Sequence, residues 1–181
     1  SRSVVLAKPS DGGDDSNSGR SRQNPVATIT AAIQLAEGCS PTCDVLIAAG
    51  TYQESVTIPS GVELFGGYDP ADWSRDITAN TTVLRGNERR AVTIDAPTER
   101  VTLGGLTVRG ENYPSSTNGK STYAVWSRET SSNTLVIQNA VIAGGEAADG
   151  SGGIDGGGGD DGLDGLSTSD ETKGFGGYSS C

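Results

Sequence analysis

Short apolar alternations return throughout residues 45–108, and this repetition restricts the fold more than any other feature of the chain. Val45 and Ile47, Val56 and Ile58, Val62 and Leu64, Val92 and Ile94, Val101 and Leu103, and Leu106 and Val108 each leave a single residue between two apolar side chains. In an extended strand that spacing puts both on one face, so each run reads as a half-buried strand. Gly, Pro, Asn and Asp lie between the runs, as turns require. No long helical pattern intervenes, which argues against βαβ units. A sandwich, a barrel or a stacked coil remains.

Internal repetition favours the stacked coil. VTLGGLTVRG at 101–110 lines up with LVIQNAVIAG at 135–144, and both end on Gly after an apolar pair. VLRG at 83–86 matches the end of the first copy at an offset of roughly 24 residues, inside the range of solenoid repeats. The polar stretch 111–121 lengthens the second offset, and a stacked coil absorbs such an insertion on one face. A sandwich gives no reason for positional matches. The expectation is parallel strands with Val62, Leu64, Val92, Ile94, Val101, Leu103, Leu135 and Ile137 pointing inward.

One convincing helix spans 28–37. Thr28 can cap it, and Ile29, Ala32, Ile33 and Ala36 form one apolar stripe. Gly38 reads as the C′ residue that ends it. A single short helix cannot build its own core, so it is expected to cover the open N-terminal end of the strand stack. Cys39 and Cys43 follow with no second pair that could complete a zinc site, and a short local disulfide is expected. Cys181 is left over, and an intermolecular link is its expected use. The cysteines fit an oxidising compartment. The chain has no Met, and it reads as a processed or excised piece of a longer precursor.

Several stretches taken together resemble a known family. They are DDSNSG at 14–19, Pro25 with the Thr28–Ala36 stripe, AGTYQE at 49–54, VTIPSGVELFGG at 56–67, and GGYD with WSRD between 66 and 76. The chain resembles right-handed parallel β-helix proteins of the pectate-lyase-like superfamily, closest to secreted and surface members from bacteria. The resemblance covers roughly residues 4–145. It implies an all-β, right-handed parallel β-helix (a solenoid) over 1–145, capped by helix 28–37, with a Gly/Asp-rich tail over 146–181. It does not fix an activity, because this fold carries lyases, hydrolases, adhesins and structural proteins alike.

Charge and composition narrow the chemistry. A net charge of −10 argues against nucleic acid or an anionic membrane surface as partner. No apolar run has the length of a membrane span. The chain has no His, which removes Ser-His-Asp and Cys-His catalysis and His-based metal sites. The acidic pairs Asp14/Asp15, Asp160/Asp161 and Asp170/Glu171 could serve glycoside hydrolysis. The first and last lie in turn-rich stretches, where solvated turns are the default. Lyase relatives pair calcium-binding carboxylates with a base. The candidate bases here are Arg85, Arg89, Arg90, Arg100 and Arg109, none in a lyase motif.

Tyr68, Trp73, Tyr113 and Trp126 could offer stacking faces to a sugar or partner, although packing of loops onto the coil is the favoured use. In the tail, Gly recurs in one register of three, and 156–163 fits a calcium-binding nonapeptide pattern. Asp155, Asp160, Asp161 and Asp164 are the candidate calcium ligands, against a plain linker. Calcium is the one cofactor suggested.

The leading expectation is a non-catalytic, extracellular or cell-surface β-helix of bacterial type, structural or adhesive. It would assemble with itself, as a homo-oligomer or filament, or with the remainder of its precursor. One rival is a carbohydrate-active enzyme (polysaccharide lyase or glycoside hydrolase) or its N-terminal fragment, acting on polysaccharide. A second is a calcium-dependent carbohydrate-binding module.

Overall fold

The computed structural model describes residues 3–9, 11–39, 42–113, 119–131 and 134–150. The alternating runs are strands, and the chain visits three sheets in rotation. β1 (Val4–Ala7) comes first, then α1 (Ile29–Glu37). β2 (Asp44–Ala48), β3 (Gly50–Gln53) and β4 (Val56–Thr57) form one coil. β5 (Glu63–Tyr68), β6 (Thr82–Arg85) and β7 (Arg90–Asp95) form the next. β8 (Val101–Gly104), β9 (Thr107–Arg109) and β10 (Tyr123–Arg128) form another, and β11 (Leu135–Gln138) and β12 (Val141–Ala143) begin one more. Like strands of successive coils pair in parallel. The sheets run β1-β2-β5-β8-β11, β3-β6-β9-β12 and β4-β7-β10. This is an all-β parallel β-helix with one short helix at its first coil.

The repeats legible in the sequence are the pairings. Val101 lies opposite Leu135 and Leu103 opposite Ile137. Val83 lies opposite Thr107, and Thr107 opposite Val141. Corners repeat as well. Gly105 (φ 67°) follows β8 where Asn139 (φ 49°) follows β11, and Ala96 (φ 44°) follows β7 where Glu129 (φ 52°) follows β10. The left-handed region suits Gly and Asn, whereas for Ala and Glu it costs roughly 1–2 kcal/mol.

Period-2 alternation sends one residue set into a single core. Val45, Ile47, Val56, Ile58, Val62, Leu64, Val92, Ile94, Val101, Leu103 and Val108 are buried together with Ile29, Ala32, Ile33 and Ala36 of the helix. Fully burying such a side chain stabilises by about 1.5–3 kcal/mol. Leu135 packs against this core half-buried. Ile137 is 44% exposed despite the expected direction. Its register with Leu103 gives it an inward position. Its strand is the last of its sheet, so among the described residues no coil covers it from above.

The N-terminal end is closed in detail. Val26 forms a parallel bridge with Ala7 on the outer edge of β1. Leu6 N–H donates to Gly19 O, Lys8 N–H donates to Val26 O, and Val26 N–H donates to Leu6 O. The helix packs against β1, β2 and β4, in the stretch of chain where a coil would place its second and third strands. Its first turn contains no acid of its own, and carboxylates from elsewhere supply the acceptors. Glu54 accepts from Ile29 N–H and Thr30 N–H, while Thr28 Oγ1 accepts from Ala31 N–H. Asp15 accepts from Ala27 N–H and Thr28 N–H just upstream. These are the orphan donors of a helix start, and the negative ends face the positive pole of its dipole.

The GTYQE run at 50–54 thus acquires a physical meaning. Tyr52 is buried with its hydroxyl on Ala7 O and Ala48 O, tying β1 to β2, and Glu54 holds the helix. Gly38 differs from expectation. It ends the helix with φ −72° and ψ −3°, a right-handed cap whose N–H donates to Ala36 O. Cys43 N–H donates to the same carbonyl, and the Cys39–Cys43 disulfide turns the chain towards β2.

Candidate functional site

The last coil is the most unusual surface of the stack. Ile142 lies opposite buried Val108 and so occupies an inward position, yet it is 42% exposed. Ile137 shares that condition on the neighbouring sheet. Val141, opposite Thr107 on the outer face, is 59% exposed. Among the described residues no strand pairs with the outer edges of β10, β11 and β12. Three apolar side chains therefore lie beside three rows of backbone groups that lack sheet partners there. Such edges are templates for pairing, and proteins cover or blunt them. The sequence reading aligned 135–144 with 101–110 without marking Val141 and Ile142 as exposed. Their alignment with Thr107 and Val108 was the available signal.

The candidate bases do not converge. Arg100 ion-pairs with the buried Glu63 at 3.3 Å. Arg89 lies over the Tyr123 ring and Arg90 over Trp126, 3.8 Å from its centroid. Arg85 and Arg109 stand side by side on β6 and β9. The acids serve local structure. Asp14 accepts from the Ser16 hydroxyl and N–H, and these bonds hold its carboxyl below the usual range. Asp15 caps the helix approach, as described above. Asp95 takes a two-bonded fork from Arg128 at 2.9 and 2.7 Å, which lowers its pKa. Among the described residues no group of three metal-binding side chains comes together.

The aromatics do not form one stacking face. Trp73 is buried, with Leu6, Ala48, Val4, Leu46 and Tyr68 around it, so its ring is withdrawn from any sugar. Residues 69–81 fold back over the outside of the first sheet through side-chain turns. Asp69, Asp72 and Asp76 accept from the N–H groups of Ala71, Ser74 and Thr78. Tyr68 and Trp73 meet at 6.4 Å between ring centroids, and Arg75 lies over Tyr68. Tyr113 stands apart beneath Lys120, and Trp126 lies half-buried on the third sheet among Arg90 and Arg128. Asp155, Asp160, Asp161, Asp164, Asp170, Glu171 and Cys181 lie outside the described residues.

A groove runs along the third sheet beside the helix. One part, of about 330 Å³, is lined by Thr30, Gln34 and Glu37 of the helix with Ser55 and Thr57. A second part, of about 420 Å³, shares Ser55, Val56 and Thr57 and continues to Glu88, Arg89, Arg90 and Thr93. Its lining mixes the hydroxyl residues Thr30, Ser55, Thr57 and Thr93 with apolar Ile33, Val56 and Pro59.

No curated protein and no solved structure matches the chain. A family described as "Protein of unknown function (DUF1565)" matches residues 11–176, nearly the full length, and the chain belongs to that family.

Proposed function

We propose that this chain is a non-catalytic structural or adhesive β-helix module of the extracellular or bacterial cell-surface type, joined to further protein through its last coil. The observation that carries the reading is the exposure of Ile137 and Ile142 at inward positions beside strand edges without partners among the described residues. The pectate-lyase-like resemblance, the local disulfide and the acidic charge are in keeping with a secreted module. The partner is a second copy or the rest of a larger protein.

The test is light scattering across a concentration series, for the chain and for an Ile137→Lys/Ile142→Lys variant. Concentration-dependent association that the variant abolishes is the expected result. A monomer at every concentration, with amides of β11 and β12 exchanging freely, would remove self-association from the reading.

The groove along the third sheet favours a second reading, carbohydrate binding or cleavage. Its mixed lining of hydroxyl and apolar residues and the Arg89/Arg90 wall suit a polysaccharide. Activity and binding assays on acidic and neutral polysaccharides, with and without calcium, separate the two readings. Turnover of any of them would overturn the non-catalytic one.

A further inference from the structure

Arg85 and Arg109 are the exception among the arginines of the stack. Elsewhere Arg100 has Glu63, Arg128 has Asp95, and Arg75, Arg89 and Arg90 lie on aromatic rings. Arg20 rests on the sulfurs of the disulfide. Arg85 and Arg109 are register partners on adjacent strands, so their backbones lie about 4.8 Å apart and both side chains leave the same outer face. Both are exposed, and neither has an ion pair among the described residues. Like charges directly opposite each other on neighbouring strands destabilise a sheet. In a chain with 23 acidic residues, leaving such a pair without a carboxylate calls for a reason.

The surroundings supply one. The outward column runs Gln53, Arg85, Arg109, Ala143. The last position carries only a methyl group, and Gly144 follows it. A notch of about 140 Å³ opens there, lined by Arg85, Arg109, Ala143, Gly144 and the turn Gly110, Glu111 and Asn112. Asn112 Oδ1 is occupied by Glu146 N–H at 2.8 Å, which leaves the amide nitrogen, a donor, for a ligand. The notch thus joins two guanidinium forks to a further donor.

We infer that this notch binds a tetrahedral oxyanion of the sulfate class, with Arg85 and Arg109 each bonded to separate oxygens of one group. A planar carboxylate has two oxygens and satisfies one fork. Two stacked forks ask for an anion with three or more. Glu111 on the rim sets the charge. It opposes anions of charge about −2, inorganic sulfate and phosphate monoesters alike, more than the singly charged sulfate ester of a glycan. The shared chemistry comes from either inorganic sulfate or the sulfate ester of a glycan.

Sodium sulfate titrated into the full chain at constant ionic strength, followed by NMR, tests the site. Saturable shifts confined to the Arg85 and Arg109 side chains and the Gly110 and Glu111 amides are expected. Arg109→Gln and Arg85→Gln should each weaken binding at least tenfold. Arg22→Gln, an equal charge change elsewhere, should leave it intact. Glu111→Gln should tighten the binding of inorganic sulfate. Retention on dextran sulfate but not on dextran assigns the ester as ligand, and sulfate binding without retention assigns the free anion; either supports the site. Shifts spread over all arginines, equal loss in Arg22→Gln, or acetate binding as well as sulfate would overturn it. Both arginines are exposed, so melting curves should show that the variants fold.

Discussion

At its first coil the stack has the outer edge of β1 paired and a helix packed beside it, and at its last coil the described residues leave edges bare. β1 receives Gly19 and Val26 on its outer side, α1 packs against β1, β2 and β4, and borrowed carboxylates satisfy the start of the helix. β11 and β12 have the same alternation and the same register but no covering strand among the described residues. The inward column makes the contrast quantitative. Leu64 and Leu103 are fully buried, while Ile137 on the next strand is 44% exposed. In a stack each coil touches only its neighbours, so burial requires a coil on both sides. Inward direction alone does not supply it.

The largest expected effect separates members of that column. Leu103→Ala should cost about 2–5 kcal/mol in urea denaturation, as cavity-forming core changes do. Ile137→Ala should cost about 1 kcal/mol or less in dilute protein, because much of its surface is already in water. Equal losses at low concentration would show that Ile137 is covered, and the contrast between the ends would disappear.

Glu54→Ala tests the closed end. Removing an external cap from Ile29 and Thr30 should cost roughly 0.5–2 kcal/mol. Hydrogen exchange should quicken within Ile29–Glu37 and stay unchanged in β8 and β11. Uniform quickening along the stack would contradict a local clasp.

Tyr52 gives the closed end a pH dependence. Burial, reinforced by the negative charges of Glu54 and Asp11, pushes its phenol well above the ordinary value of about 10. A raised folded pKa gives stability that is complete below the unfolded pKa and declines as pH rises beyond it. Stability should therefore fall above pH about 10, and Tyr52→Phe should reduce that fall. Parallel alkaline curves for the two proteins would refute the assignment.

The smallest effect lies at a corner. Ala96 has a left-handed conformation that Gly adopts without a steric penalty. Ala96→Gly should raise the melting temperature, by up to about 1 kcal/mol in stability once the added freedom of the unfolded chain is deducted. A lower melting temperature would mean that the Ala96 methyl group contributes packing.

Much of this was legible in the sequence, and the misses have physical causes. Alternation reports which way a side chain faces, so Leu64, Leu103 and the alignments 83/107 and 101/135 could be read directly. It carries no information on what lies beyond a strand, so Ile137 read as inward-facing with no sign that it would lie exposed. The burial of Trp73 agrees with the favoured packing of loops onto the coil; the path of its loop was not legible, because Asp69, Asp72 and Asp76 direct the fold-back by bonds to nearby N–H groups, which look like any polar linker. Gly38 ended the helix as expected but without its left-handed freedom, since Cys39 and Cys43 already turn the chain. Arg85 and Arg109 were seen singly as candidate bases. The Arg-to-Ala change between 109 and 143 was the overlooked sign of a notch.

The carboxylate of Glu54 also bears on mechanical behaviour. It belongs to the first complete coil yet grips the start of a helix that precedes that coil in the chain, so it bridges two pieces that a pull on the N-terminus would draw apart. Under such a load the bonds to Ile29 and Thr30, with the Tyr52 hydroxyl on Ala7, act as a clasp that must open before the first strand can peel away. In single-molecule extension the first rupture should come at lower force in Glu54→Ala, with the later ruptures of the inner coils unmoved. An unchanged first rupture would show that the strand ladder alone bears the load.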